Sequence, residues 1–68
     1  MSNNIVVDLR NQSWSRIYSE IEEFRSARKS ERVYATFLID NNIVPQVCRL
    51  VRDYDLEDVC EIRSEVDS

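Results

Sequence analysis

Among the side chains that could do chemistry, carboxylates are the most numerous, and two thiols accompany them. Its 68 residues include 13 Asp and Glu and two Cys, but no His and no Gly. Without His, the Ser-His and Cys-His arrangements that activate a nucleophile cannot be built. Without Gly, the sequence has neither a phosphate-binding P-loop nor a dinucleotide-binding glycine motif. The residue types therefore argue against an enzyme.

The carboxylates also lack the spacing of a catalytic or metal site. The adjacent pairs are Glu22-Glu23 and Glu57-Asp58, and neighbouring residues on a helix point in different directions, so neither pair can share one substrate. The acids that begin at Asp53 could hold a divalent cation, but the glycine-containing spacing of an EF-hand is missing. We predict a chain that is not an enzyme, with no cofactor and no bound metal.

The two cysteines, Cys48 and Cys60, are too few for a disulfide framework. Each follows a valine, and free cysteines in apolar surroundings are commonly buried. The sequence has no C-x-x-C pair and no histidine for a zinc site. We therefore expect both thiols to be structural.

The sequence shows no segment for membrane insertion or export. No apolar run approaches the roughly 18–20 residues that span a bilayer. The first residues, from Met1 to Asn4, lack the basic and apolar regions of a signal peptide. We predict a cytoplasmic protein without membrane contact.

The net charge of −4 is unevenly distributed along the chain. Seven acids and only one base, Arg63, lie between residues 53 and 67. Such a surface repels a nucleic-acid backbone and suits a basic surface on another protein, whereas the simpler interpretation is a solvated face that keeps a small protein soluble. The predicted partner-binding acidic edge consists of Asp53, Asp55, Glu57, Asp58, Glu61 and Glu65.

A basic segment lies near the middle of the chain. Its four bases are Arg25, Arg28, Lys29 and Arg32. Because aromatic residues follow at positions 34 and 37, this is a weak form of the basic and aromatic pattern of nucleic-acid-binding surfaces. The competing interpretation is a set of charges at a helix end, followed by a core strand.

Periodicity predicts a strand, a helix and a second strand in the first 40 residues. Residues 5–10 and residues 32–39 alternate and are rich in β-branched and aromatic side chains, as strands are. Between them, apolar residues recur at helical spacing over residues 13–28. Asn11 or Ser13 is placed to cap this helix.

Three aromatic residues of the predicted helices have expected positions. Trp14 is expected in the core more than at a contact surface. The rings of Tyr18 and Tyr54 are expected at the edge of the core, with their hydroxyls in water.

The second half of the chain allows two interpretations at two places. Residues 44–53 fit an apolar helical stripe with Pro45 in the first turn, whereas the competing structure is a β-hairpin that turns at Asn41-Asn42. Pro45 disfavours a central strand there. Residues 59–66 alternate and favour a final strand over a third helix. Since glycine is absent, Asn41-Asn42 is expected to adopt positive φ.

These elements predict one compact α/β domain over residues 1–68, or an α+β domain if residues 44–53 are a strand. The architecture is a small two-layer sandwich in the order β-α-β-α-β, with a three-stranded sheet and two helices on one face. The inner face is expected to hold Ile5, Val7, Leu9, Val33, Phe37, Ile39 and Ile62. The open face is expected to hold Val6, Asp8, Arg10, Tyr34, Thr36, Leu38, Glu61 and Arg63. Because parallel sheets are normally covered on both faces, we predict a partner contact at Tyr34, Thr36 and Leu38.

The leading hypothesis is a small acidic protein-binding module that inhibits or regulates a larger protein or complex. In its sharper form, the acids imitate a nucleic-acid backbone and occupy a basic nucleic-acid-binding groove on the target. In size and charge alone, the chain resembles the small acidic proteins of phages and mobile elements, including anti-CRISPR inhibitors that act in counter-defence.

Two other functions fit parts of the sequence. A nucleic-acid-binding regulator would use the basic segment from Arg25 to Arg32, although the net charge argues against direct nucleic-acid binding. A structural homo-oligomer, in the simplest case a homodimer, would cover its open sheet face with a second copy.

Overall fold

The computed structural model describes residues 3–64. Its elements are β1 (Asn3–Asp8), α1 (Trp14–Ala27), β2 (Val33–Leu38), a 3₁₀ turn (Asn41–Ile43), α2 (Val44–Asp53) and β3 (Cys60–Arg63). The predicted alternation of strands and helices is confirmed, with the 3₁₀ turn added before α2. Because residues 44–53 are helical, the fold is α/β and the hairpin alternative is wrong.

The first helix begins where a capping side chain precedes an apolar stripe. Ser13 has an extended backbone, and its Oγ accepts a hydrogen bond from the backbone N–H of Arg16 at 3.3 Å. This bond satisfies one of the free amides in the first turn of α1. Ile17, Ile21 and Phe24 follow at helical spacing and are buried. The predicted helix over residues 13–28 is therefore confirmed to within a residue at each end.

The second helix follows the same logic with a proline at its start. Pro45 lies in the first turn of α2, where a missing backbone N–H costs little because that group has no helical acceptor. Val47 and Val51, four residues apart, are the buried residues of α2. Within residues 3–64, neither α1 nor α2 has the length and apolar character that a membrane-spanning helix requires.

The three strands form a parallel sheet in the order β1-β2-β3. The register places Val7, Phe37 and Ile62 in one row across the sheet. Since consecutive strands are neighbours and each parallel crossover is right-handed, both helices are carried to the same face.

The core lies between that face and the two helices. Along β2 the residues alternate between buried and more exposed positions, so only one face of the central strand is covered. The rings of Phe24 and Phe37 meet edge to face, with centroids 5.8 Å apart. The buried residues within positions 3–64 are Leu9, Ile17, Ile21, Phe24, Val33, Ala35, Phe37, Ile39, Val47, Val51 and Leu56. The two-layer sandwich with an open sheet face is therefore present.

Three residues expected in the interior are exposed. Trp14 is 45% exposed because it opens α1, one turn before the buried stripe begins. Ile5 is 41% exposed since β1 is the edge strand. Cys48 is exposed because it follows Val47, about 100° further around α2 from the buried side.

The expectation of positive φ at Asn41-Asn42 is wrong. These residues start the right-handed 3₁₀ turn, in which the N–H of Ile43 donates to the carbonyl of Asp40, and such a turn needs negative φ. The positive φ angles occur instead at Asn11 (63°) and Asp55 (60°). Asparagine and aspartate tolerate this left-handed region better than most residues, so the turns form without glycine.

Candidate functional site

A concave pocket with a volume of about 520 Å³ lies on the open face, near the amino-terminal ends of the strands. We call it the acidic groove. It is lined by Asn4, Tyr34, Ala35, Thr36, Glu57, Asp58, Val59, Cys60 and Glu61. Three of these nine residues carry carboxylates, so the groove is negative, and the other six are divided equally between polar and apolar side chains.

One wall of the acidic groove is the turn between α2 and β3, and its position is set by the end of α2. The N–H of Leu56 donates to the carbonyl of Val51 at 2.9 Å, and the N–H of Asp55 donates to that of Arg52 at 3.0 Å. These two bonds form a Schellman motif, with Asp55 in the left-handed position that glycine usually occupies. Leu56 is buried and anchors the chain to the core.

The far end of the same turn is fixed to the sheet. The N–H of Val59 donates to the carbonyl of Leu56 at 3.1 Å, and the carbonyl of Val59 accepts from the N–H of Ala35 on β2 at 3.1 Å. Glu57 and Asp58, between these anchors, are exposed. The fold therefore holds two adjacent carboxylates at the rim of the open face. The expectation that Glu57 and Asp58 point apart as helix neighbours is wrong, because both lie in a turn and line the same groove.

The other wall comes from the strands. Asn4 on β1 is paired with Tyr34 on β2, and Thr36 on β2 is paired with Glu61 on β3. Each of these four residues lines the groove. Leu38, the third residue predicted on the sheet face, is half-buried and does not line the groove. The structure thus joins Tyr34 and Thr36 to part of the predicted acidic edge.

The predicted acidic edge is not one continuous surface. Glu57, Asp58 and Glu61 line the groove, whereas Asp53 and Asp55 are exposed elsewhere. The Schellman turn separates the two sets, because it reverses the chain direction after the last residue of α2. Glu65 lies outside the described residues.

The groove carboxylates have weak intramolecular partners. Glu57 lies 3.6 Å from the Arg52 guanidinium, and Glu61 lies 3.3 Å from that of Arg63. Asp58 has no cationic partner within residues 3–64. Exposed ion pairs of this kind are worth only about 0–1 kcal/mol, so a cation from another molecule can replace either arginine.

The aromatic residue of the groove is held by a neighbouring base. The Arg28 guanidinium lies 5.6 Å from the centroid of the Tyr34 ring and donates a hydrogen bond to the carbonyl of Val33. A cation at this distance attracts the face of an aromatic ring. Arg28 therefore helps to orient Tyr34 at the end of the groove.

The four bases of the basic segment do not act together. Arg25 lies over the ring of Tyr54 at 4.6 Å and 3.8 Å from the Glu22 carboxylate, whereas Arg28 serves Tyr34. Lys29 and Arg32 are exposed in the turn that follows α1. Two of the four predicted nucleic-acid contacts are thus engaged within the protein, at different places.

A tyrosine cluster on the helix layer was not predicted as a unit. The Tyr54 hydroxyl is 2.8 Å from the Tyr18 hydroxyl and also donates to the carboxylate of Glu22. The two rings meet edge to face with centroids 6.4 Å apart. The hydrogen bond to Glu22, and to a smaller extent the hydrogen bond to Tyr18, raises the pKa of Tyr54 above its ordinary value. Tyr18 lies on α1 and Tyr54 directly follows α2, and only the tertiary fold brings the two side chains together.

The one thiol in the groove is a poor nucleophile. Burial, with a smaller contribution from Cys48, raises the pKa of Cys60 to about 12, so the thiolate is disfavoured at neutral pH. The expected structural role fits Cys60 better than it fits the exposed Cys48. Within residues 3–64, no three Cys, Asp or Glu side chains are placed to hold a metal ion.

The groove residues that the sequence analysis missed are Asn4, Ala35, Val59 and Cys60. Their spacing in the sequence does not identify them, because the order of the strands in the sheet determines which residues lie beside them. The arrangement suits the binding of a cationic side chain: carboxylates supply the charge, and an amide, a hydroxyl and a phenol supply further hydrogen bonds. The chain matches no protein-family model, no curated protein and no solved structure.

Proposed function

We propose that this chain is a small acidic protein-binding module, without catalytic activity, that inhibits or regulates a larger protein. The acidic groove is its binding site, and a basic segment of the target is the ligand. One observation carries this proposal: Tyr34 and Thr36 of the open sheet face line the same groove as Glu57, Asp58 and Glu61. Two features that suggested binding separately thus occupy one place.

The shape and chemistry of the groove support a peptide or side-chain ligand. Its volume of about 520 Å³ lies within the roughly 300–1,000 Å³ of ordinary ligand sites. Glu57 and Glu61 would exchange their weak pairs with Arg52 and Arg63 for charge-assisted hydrogen bonds to an arginine or lysine of the target.

The open face around the groove supports a macromolecular partner. A parallel sheet is normally covered on both faces, and here one face of β2 is left uncovered by the two helices. The proposed target therefore covers the strands as well as filling the groove. A basic nucleic-acid-binding groove is the sharper form of this target, and anti-CRISPR-like counter-defence is the biological setting that acidity and size suggest.

The nucleic-acid-binding alternative and the cytoplasmic location stay predictions from the sequence. Nucleic-acid binding is the less favoured proposal, because the guanidinium groups of Arg25 and Arg28 contact the rings of Tyr54 and Tyr34 within the protein. A gel-shift experiment with DNA and RNA at moderate salt distinguishes it from the proposed protein contact.

The test of the proposed function combines capture with matched charge variants. The tagged protein is used to isolate its target from the cell of origin, and the purified target is then titrated calorimetrically. The groove variant is Glu57→Lys with Asp58→Lys. The control is Glu31→Lys with Asp53→Lys, which changes the net charge equally at exposed positions outside the groove.

We expect the groove variant to bind at least about tenfold more weakly than the wild type, and the control to bind within about threefold. Binding by the wild type should weaken as salt rises. Equal losses in the two variants, or full affinity in the groove variant, would reject the groove as the binding site.

A further inference from the structure

The outer edge of β1 is an unpaired strand edge within residues 3–64. β1 pairs only with β2, since the strand order is β1-β2-β3. The N–H of Leu9 donates to the carbonyl of Leu38 on β2 at 2.8 Å. Because backbone groups alternate in direction along a strand, the N–H and C=O groups of Asn4, Val6 and Asp8 point away from β2. Among the described residues, they form a row of donors and acceptors without a backbone partner.

This edge also exposes apolar side chains on both faces of the sheet. Val6 is 67% exposed on the open face, and Ile5 is 41% exposed on the helix face. A cavity of about 220 Å³ lies on the helix side, where Ile5, Val7, Phe24 and Ala27 line it together with the carboxylate residues Glu20 and Glu23 of α1. The α1 helix therefore leaves this margin of the sheet only partly covered.

The edge of β1 lacks the devices that normally prevent strands from pairing. Natural edge strands are kept short, or carry lysine, proline, a bulge or inward-pointing charges. β3, at the other edge, has four residues and carries Glu61 and Arg63. β1 has six residues, Asn3–Asp8, whose only charge is at the last position. That charge, on Asp8, is held by the guanidinium of Arg10 at 2.8 Å.

We propose that β1 pairs antiparallel with β1 of a second copy of this chain, about a two-fold axis through Val6. The two sheets then form one sheet of six strands. Val6 faces Val6 of the second copy, and Asn4 faces Asp8 of the second copy. Both are hydrogen-bonded pairs, because their backbone groups point outward from β2.

The symmetry explains why a second copy fits this edge better than a foreign strand. A two-fold contact needs a self-complementary surface. In this register an amide meets a carboxylate, an apolar residue meets itself, and no two like charges are directly opposed. Ile5 faces Val7 of the second copy on the helix side. Because the axis is perpendicular to the sheet, both helix layers lie on one side, next to the cavity, and Glu20 and Glu23 of the two α1 helices remain at its solvent side.

This inference goes beyond the proposed function and does not rest on it. A dimer would place two acidic grooves on one continuous open face, but loss of the dimer would leave each groove with its own lining residues. Failure of the edge contact and failure of the groove contact are therefore measured separately.

The first test is sedimentation equilibrium over a concentration series, with Val6→Lys as the variant. Gln46→Lys, at an exposed position of α2, is the control with the same change in charge. We expect the wild type to reach twice the 8.1 kDa mass of one chain. Val6→Lys should raise the dimer dissociation constant at least about tenfold, since two lysines meet on the axis. Circular dichroism verifies that both variants fold.

The second test fixes the register by disulfide formation in a Cys48→Ser background. Hydrogen-bonded antiparallel residues have Cα atoms about 5.5 Å apart, which a disulfide spans, so Val6→Cys should cross-link the dimer on oxidation. Asn4→Cys should not cross-link the dimer, because the residues at position 4 of the two copies are offset by four residues along the strands, or about 14 Å. A wild type that stays monomeric up to about 1 mM overturns the proposal. So does a dimer that survives Val6→Lys without a Val6→Cys cross-link.

Discussion

Thr36 on β2 and Glu61 on β3 are directly paired across the sheet, and both residues line the acidic groove. This pairing joins a polar residue of the open face to a carboxylate of the C-terminal acidic segment. Glu57 and Asp58 reach the same groove from the preceding turn. The groove therefore depends on two local structures, the β2–β3 register and the Schellman turn after α2.

The first prediction concerns the left-handed residue of that turn. Asp55 has φ of 60° at the position where glycine is the usual residue. Replacing it by glycine removes the steric cost of a Cβ in this region, so Asp55→Gly should raise the free energy of unfolding by about 0.5–1 kcal/mol. Asp55→Val should lower it by about 1–2 kcal/mol, because β-branched residues are poorly tolerated at positive φ. Urea denaturation measures both changes.

A neighbouring glycine substitution serves as the control. Asp53 is the last residue of α2, and Asp53→Gly should destabilise the protein by up to about 1 kcal/mol, as glycine does in a helix. If Asp55→Gly destabilises the protein as much as Asp53→Gly does, the left-handed conformation of Asp55 is not a source of strain.

Much of the fold could be predicted from residue patterns alone. The apolar stripe Ile17–Ile21–Phe24 has helical spacing, and the alternation around Val33 has strand spacing. Both patterns can be recognised in the sequence because each burial pattern arises from a single element. Pro45 correctly favoured a helix over a strand for residues 44–53. These features are local, so the amino-acid order contains them directly.

The groove lining and the exposure of individual residues could not be predicted, because they depend on how the strands and helices pack together, and no local sequence pattern contains that information. Asn4 lines the groove only because β1 lies beside β2. Asp53 and Asp55 are separated from Glu57 by the Schellman turn. This turn could not be predicted, because its left-handed position holds an aspartate instead of the glycine that would have indicated it in the sequence. The exposure of Ile5 follows from the edge position of β1.

The second prediction concerns acid stability. The pKa of Asp8 is lowered to about 2, chiefly by the side-chain hydrogen bond from Arg10 and then by the Arg10 backbone N–H. The ordinary value in an unfolded chain is about 3.9. The stabilisation from the ionised carboxylate is therefore fully present above about pH 5 and is lost as the pH falls towards 2. Unfolding of the wild type and of Asp8→Asn, compared from pH 2 to 6, tests this.

The difference in free energy of unfolding between wild type and Asp8→Asn should be constant above about pH 5 and shrink below pH 4. Arg10→Gln, which removes the partner instead of the carboxylate, should flatten the same part of the pH profile. Parallel pH profiles for the wild type and Asp8→Asn over the whole range would show that this pair does not affect acid stability.

The central claim is that the acidic groove, and not negative charge in general, binds a cationic segment. It is tested most directly by titrating the ¹⁵N-labelled protein with the capped peptide acetyl-Arg-Ala-Arg-amide and following the amide chemical shifts. The variants are the groove pair Glu57→Lys with Asp58→Lys and the control pair Glu31→Lys with Asp53→Lys.

We predict that the largest shifts fall on Tyr34, Thr36 and Glu61, that the groove variant abolishes them, and that the control variant retains them. Shifts of similar size at Glu31 and Asp53, or no saturable shifts at the groove residues with several millimolar peptide, would contradict the account.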